Sequence, residues 1–170
     1  MLKICLINVK DTSSAQMKEI IKIKQQAWDY ADDRQLKWIK ENLKENDEHV
    51  LLFADDVLCA YMNLVNVRII VDGKEYDAIG VGNVCVAKNK RGMNYGALLL
   101  HSVNTVIKER DSVGILLCKD ALTGFYRKAG WNEIGKDVSI TVAGKDFCNH
   151  AFIYNLSEMP VRQLQTDISF

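Results

Sequence analysis

Apolar and polar positions along the chain follow two spacings, and they change over several times. Leu2 to Val9 is a short apolar run that predicts a strand, closed by the polar cluster Asp11-Thr12-Ser13-Ser14. Met17, Ile20, Ile21, Ala27 and Trp28 recur at mostly helical spacing with lysines and glutamines between them, the pattern of an amphipathic helix. Asp32, with Gln35 three positions later, has the spacing of a capping box, and Leu36, Ile39 and Leu43 continue one face of a second helix.

Branched and aromatic residues dominate His49 to Ala54 and Val57 to Ile70, with the turn signal Asp55-Asp56 between them. Val71-Asp72-Gly73-Lys74 is a second tight turn, followed by a strand over Tyr76 to Ala87, so the three runs predict an antiparallel meander. Ala97, Leu98, Leu99, Leu100, Val103, Val106 and Ile107 give a helix with a broad apolar face. The unbroken run Val113 to Cys118 predicts a central strand covered on both faces. Leu122 to Ala129 is a short helix stopping at Gly130, and Asn132 to Asn155 reads as two closing strands around Ala143-Gly144-Lys145-Asp146. Leu156 to Phe170 reads as a polar tail and holds the only proline, Pro160.

At 170 residues with nearly half of them apolar, the chain supports one well-buried core, and residues 1–170 are expected to form a single domain. Basic and acidic residues number 22 each, so no net field draws the protein to nucleic acid or to an anionic membrane, and neither is expected as a partner. The five cysteines (Cys5, Cys59, Cys85, Cys118, Cys148) lie in apolar runs without metal or redox spacing, which predicts buried thiols in a reducing compartment. Met1 to Val9 lacks the basic start and cleavage site of a signal peptide, and no stretch has the apolar length of a membrane span. A cytoplasmic location is the expectation, with no metal. A homodimer is compatible with the sequence, which does not select an oligomeric state.

The chemistry concentrates between Asn83 and Trp131. The strand residues Val84-Cys85-Val86 lead into Arg91-Gly92-Met93-Asn94-Tyr95-Gly96-Ala97 at the start of the leucine-rich helix. Backbone N–H groups at the positive end of a helix cradle anionic oxygens. Gly92 and Gly96 keep side chains away from that backbone, Arg91 adds a charge, and Asn94 tolerates a left-handed conformation better than other non-glycine residues. A P-loop is excluded because no Gly-Lys-Ser/Thr follows a glycine run. Gly80-Val81-Gly82 lies inside a strand and lacks the third glycine of a dinucleotide fingerprint.

The order of these elements, the turn from Arg91 to Gly96 and the segment Phe125-Tyr126-Arg127-Lys128-Ala129-Gly130-Trp131 together resemble the GNAT superfamily of N-acetyltransferases over nearly the whole chain. That resemblance implies an α/β (α+β) acyl-CoA N-acyltransferase fold, a mixed, mostly antiparallel sheet of about seven strands flanked by about four helices. It implies acetyl-CoA as co-substrate, with the pyrophosphate held by the turn from Arg91 to Ala97. The pantetheine arm and thioester carbonyl would lie along the backbones of Val84, Cys85 and Val86, and Tyr126 would protonate the departing thiolate. Its plainer alternative is Tyr126 as core packing with a wet hydroxyl. Many relatives carry Asn seven residues before the tyrosine, where this chain has Lys119.

Within the superfamily, Val57 to Trp131 is most similar in pattern to aminoglycoside 2′-N-acetyltransferases. The strand glutamate implied there as a water-mediated base aligns with Gly82. Asn83, Asp120, Asp29, Asp32 and Asp33 stand open as alternatives for the base or the acceptor side, and helix capping or solvation competes for Asp32 and Asp33. The expected acceptor is the primary amine of a small, cationic molecule, bound through Asp29, Asp33 and Asn83. A non-catalytic acyl-CoA sensor and a transferase of longer acyl groups are the alternatives.

Overall fold

The computed structural model describes residues 1–135, 137–157 and 160–167. Four α-helices are formed among them: α1 (Ser14–Gln25), α2 (Asp32–Asn42), α3 (Tyr95–Glu109) and α4 (Thr123–Lys128). The ten strands are β1 (Leu2–Asn8), β2 (Glu48–Ala54), β3 (Val57–Val71), β4 (Lys74–Val86), β5 (Val113–Cys118), β6 (Asn132–Glu133), β7 (Ser139–Val142), β8 (Lys145–Asp146), β9 (His150–Tyr154) and β10 (Gln163–Thr166). This is the expected mixed α/β architecture with a mostly antiparallel sheet, richer in strands than the sequence suggests.

The chain divides into two compact units, Met1–Val65 with Gly82–Leu100, and Asn66–Val81 with His101–Phe170. In the first unit β1, β2 and the opening half of β3 run antiparallel, with Ile7 opposite His49 and His49 opposite Asn63. Helix α1 buries Ile20, Ile21, Ile23 and Lys24, and α2 buries Gln35 and Ile39. The capping box belongs to α1, not α2: the Ser13 side chain accepts from the Gln16 N–H, and the Gln16 side chain from the Ser13 N–H. Asp32 is already helical, Ala31 occupies the N-cap, and Gln35 donates to the Trp28 carbonyl instead.

In the second unit the strand order is β6-β9-β5-β4-β3-β10-β7-β8. The β4–β5 ladder is parallel and covers only Ala78↔Val113, Ile79↔Gly114 and Gly80↔Ile115. The segment expected to be a polar tail contributes β10, antiparallel to β3 and parallel to β7. Its alternation buries Leu164 and Thr166, and Asp72 anchors its start by accepting from the N–H groups of Arg162 and Gln163. The rest of that expectation, on Glu158, Met159 and residues 168–170, lies outside the described residues.

Three hairpin turns have positive φ at both central residues: Asp55-Asp56 (49° and 61°), Asp72-Gly73 (48° and 83°) and Ala143-Gly144 (50° and 74°). Such turns match the right-handed twist of the strands they join. Trp131 is buried, stacks on Tyr154 at 5.3 Å and donates to Asn104 Oδ1 at 2.8 Å. Gly114 lies beneath it, where a Cβ would meet the indole at 2.7 Å. Four cysteines are buried or half-buried, whereas Cys148 is exposed, against the expectation of a buried thiol.

Candidate active site

The turn after β4 carries two left-handed residues, and its Met93 N–H donates to the Lys90 carbonyl at 3.4 Å. Gly92 (φ 81°) and Asn94 (φ 64°) are both left-handed, which reverses the chain twice before α3 begins at Tyr95. The amides of Tyr95 and Gly96 belong to the first helical turn, which has no acceptors within the helix. A Cβ at Gly92 would meet nothing, so that position is glycine for its backbone angle rather than for space. Arg91 donates to the carbonyls of Val86 (3.4 Å) and Gln26 (3.3 Å), and the Gln26 side chain accepts from the Lys88 N–H at 2.7 Å. The arginine therefore ties the turn to the end of α1. Met93 and Asn94 are exposed, and Tyr95, Gly96 and Ala97 are half-buried.

Along β4, Val84 and Val86 are half-buried and Cys85 is buried; burial pushes its thiol up to about 12, so it is an un-ionised packing group. Asn83 adopts φ 53° inside the strand, a left-handed residue within β4, and donates to Asn63 Oδ1 at 2.7 Å. Around it lies a polar row that the sequence reading missed. His49 and Asn63 face one another across β2 and β3 and are both fully buried. His49 Nδ1 meets the Tyr61 hydroxyl at 2.9 Å, and His49 Nε2 and Asn63 Nδ2 have no hydrogen-bond partner among the described residues. Burial, with Lys24 nearby, lowers the imidazole to about 4. Lys24, buried and stacked 4.2 Å over Trp38, is lowered by burial to about 8.

The acidic stretch between α1 and α2 is exposed. Asp32 accepts from Gln25 at 2.5 Å and Asp33 from the Arg34 N–H at 2.8 Å. Asp29 is exposed before α2.

In the second unit Tyr126 is buried on α4, its ring 5.0 Å from Phe125 and 5.7 Å from Phe152. Burial raises its phenol, with Cys118 adding to the effect, so the hydroxyl keeps its proton. Lys119 is exposed. Beyond α4 the structure assembles a cluster that local spacing could not reveal. His150 is held between Asp120 on Nε2 and Glu133 on Nδ1 (2.5 Å), and Arg127 pairs with the other Glu133 oxygen. These contacts raise the imidazole, with Asp120 the largest cause and Glu133 next. They lower Glu133 despite its desolvation. Asp120 and His150 line a cavity of about 340 Å³ with Ile134, Val138, Ile140 and Phe147. Among the described residues no cluster of side chains could hold a metal ion, and no helix is long and apolar enough to cross a membrane.

The family described as Acetyltransferase (GNAT) domain matches residues 8–134, and the chain belongs to it. The chemistry of that family is acyl-CoA-dependent N-acetylation. A comparison with curated proteins gives no match. Among solved structures, Escherichia coli ElaA is 16% identical with a TM-score of 0.63, the match covering 91% of this chain and 99% of that one. The Escherichia coli ribosomal-protein-S18-alanine N-acetyltransferase is 16% identical with a TM-score of 0.61, covering 100% and 96%. A probable N-acyltransferase from Enterococcus faecalis V583 is 16% identical with a TM-score of 0.64, covering 78% of this chain and only 33% of that one. The chain thus spans about a third of that larger protein. At these identities the likeness shows the fold.

Proposed function

We propose that the protein is an acetyl-CoA-dependent N-acetyltransferase acting on a primary amine of a small, cationic molecule by direct attack in a ternary complex. The observation that carries this reading is the turn itself: Gly92 and Asn94 are left-handed, and the first amides of α3 are presented beside them. These residues fit a pyrophosphate, since the first turn of a helix offers N–H donors without acceptors inside the helix and Gly92 brings no side chain. Bound acetyl-CoA supplies the acetyl thioester as electrophile. Arg91 and Met93 flank the phosphates, and Ala97 allows close approach on the helix. The backbone of Val84, Cys85 and Val86, on a strand whose ladder with β5 ends at Gly80, receives the pantetheine arm and polarises the thioester carbonyl. Tyr126 returns a proton to the thiolate. Its un-ionised phenol suits a donor.

The exposed carboxylates of Asp29 and Asp33 attract the cationic acceptor, and Asn83 holds a polar group of it. The aminoglycoside 2′-N-acetyltransferase pattern makes an aminoglycoside-like polyamine the favoured class. A coenzyme-binding sensor without turnover is the second reading, favoured by Lys119 and Gly82 at positions where relatives carry Asn and Glu.

Acetyl-CoA should raise the melting temperature, because a ligand held only by the folded state stabilises it. Gly96→Glu should abolish that shift by placing bulk and negative charge at the phosphates. Tyr126→Phe should lower turnover by about 10²-fold or more with coenzyme binding retained. A Gly96→Glu protein that folds and keeps the full shift moves the coenzyme elsewhere. A wild-type protein that binds acetyl-CoA but acetylates no amine in a broad panel supports the sensor.

A further inference from the structure

Helix α4, which carries Tyr126, has six residues, fewer than two turns, and no side chain caps its first amides. A helix that short does not hold itself, so its place must come from neighbours. Within the second unit they are of two kinds. On the uncharged side the Tyr126 ring lies 5.7 Å from Phe152 on β9, and Asn104 donates to the carbonyl of Ala129, just past the helix, at 2.9 Å.

The charged side reaches both ends. A single helical turn (Asp120–Leu122) leads into α4, where the Thr123 hydroxyl donates to the Asp120 carbonyl at 3.0 Å, and the Asp120 carboxylate meets His150 Nε2. Near the other end Arg127 pairs with one oxygen of Glu133 on β6, and the second oxygen meets His150 Nδ1 at 2.5 Å. One imidazole thus joins the residue entering the tyrosine helix to a residue at its exit. His150 and Phe152 are two apart on β9 and share a face, so the strand that packs the Tyr126 ring also ties down both ends of its helix.

We propose that Asp120, His150, Glu133 and Arg127 form a clamp across both ends of α4, and that His150 is the positioning residue that holds Tyr126 in place through it. The effect on turnover rests on Tyr126 being the proton donor. The clamp itself does not.

Both ring nitrogens donate only when the imidazole is protonated, and a neutral ring turns a lone pair toward one of the carboxylates. The end that opens is Asp120. Its side chain is 93% exposed, whereas Glu133 is 17% exposed and held by Arg127 as well. The groups facing His150 are Asp120 and Cys118 from β5 and its exit, Glu133 from β6, Arg127 from α4 and Cys148 from the residues before β9. Asp120 first and Glu133 next raise the imidazole, so the clamp stays closed to higher pH than an ordinary histidine allows. Its hold is complete below 6.5 and is lost as pH rises through the folded value.

The test is amide hydrogen exchange of α4 from about pH 6 upward, expressed as protection factors with the α3 amides as internal reference, beside kcat and KM for acetyl-CoA and 1,4-diaminobutane. In wild type the α4 protection should fall as His150 loses its proton, while α3 shows no such step. His150→Gln should lower α4 protection about 10-fold at about pH 6 and abolish the step. Asp120→Asn should move the step to lower pH, and Arg127→Lys should keep the protection that Arg127→Gln loses. In turnover His150→Gln should lose about 10-fold in kcat with both KM values little changed, because a displaced acid slows the chemical step. In a Tyr126→Phe background it should cost nothing further.

Wild-type α4 protection in His150→Gln overturns the clamp. Should that variant not fold, an unmoved step in Asp120→Asn overturns it equally. Lost protection with wild-type kcat, or an equal loss of kcat in the Tyr126→Phe background, overturns the positioning of Tyr126. A Tyr126→Phe protein with wild-type turnover removes the proton-donor reading instead, and α4 exchange still decides the clamp.

Discussion

His49 and His150 are the same side chain under opposite rules. His49 is enclosed on β2 with one neutral partner, Tyr61, and burial holds it uncharged down to about 4. His150 sits at a cavity edge between two carboxylates, which hold its proton above the ordinary range. What separates them is the charge of the atoms touching the ring. A histidine meeting only a hydroxyl in a dry site titrates as burial dictates, while one meeting carboxylates follows them even where it is largely covered. The first suits a fixed polar strut, and the second a group that keeps its proton to higher pH than a free histidine.

The contrast can be broken most severely through acid stability. The unfolded chain binds a proton at His49 near 6.5 and the folded chain only near 4. Stability should therefore be greatest above pH 6.5 and fall by about 3 kcal/mol as pH drops through that window. Urea unfolding between pH 7 and 4 checks this, and His49→Gln should flatten the slope. Next in size, Tyr61→Phe removes the hydroxyl partner of a buried ring nitrogen and should cost about 1–3 kcal/mol at pH 7.

His150 should show the reverse sign. Its folded pKa is raised, so its contribution is complete below 6.5 and fades as pH rises through the folded value. His150→Gln should remove that weak alkaline decline without touching the acidic one. The smallest effect belongs to Asp29→Asn with Asp33→Asn. Both side chains are exposed, so stability should change by less than about 0.5 kcal/mol. The amine KM should rise at low ionic strength and converge with wild type in high salt.

What the sequence disclosed was what is local. The strands and helices follow from apolar spacing, and the three hairpins from Asp, Ala and Gly pairs able to take positive φ. The anion turn is contiguous, so Arg91 to Gly96 could be read in order. Asn94 indeed takes the left-handed angle its side chain permits. Strand β10 escaped because Gln-Leu-Gln-Thr carries one strongly apolar residue and owes its form to β3 and β7. The cap at Asp32 was misplaced because Ala31 stays extended and Asp32 turns helical, a difference of one residue that spacing does not report. Both histidine environments join residues 12 to 30 positions apart, and only strand pairing brings those together.

Cys148 lines the same cavity as His150 and Asp120 and is exposed. Enzymes of this chemistry release a free thiol, which aromatic disulfide dyes capture and make visible. Such a dye would also exchange with the exposed Cys148 and leave a bulky mixed disulfide in the cavity, adding a thiol signal that owes nothing to turnover. Cys148→Ser would separate the two events, and selective alkylation of Cys148 would turn the same liability into a covalent plug for this cavity.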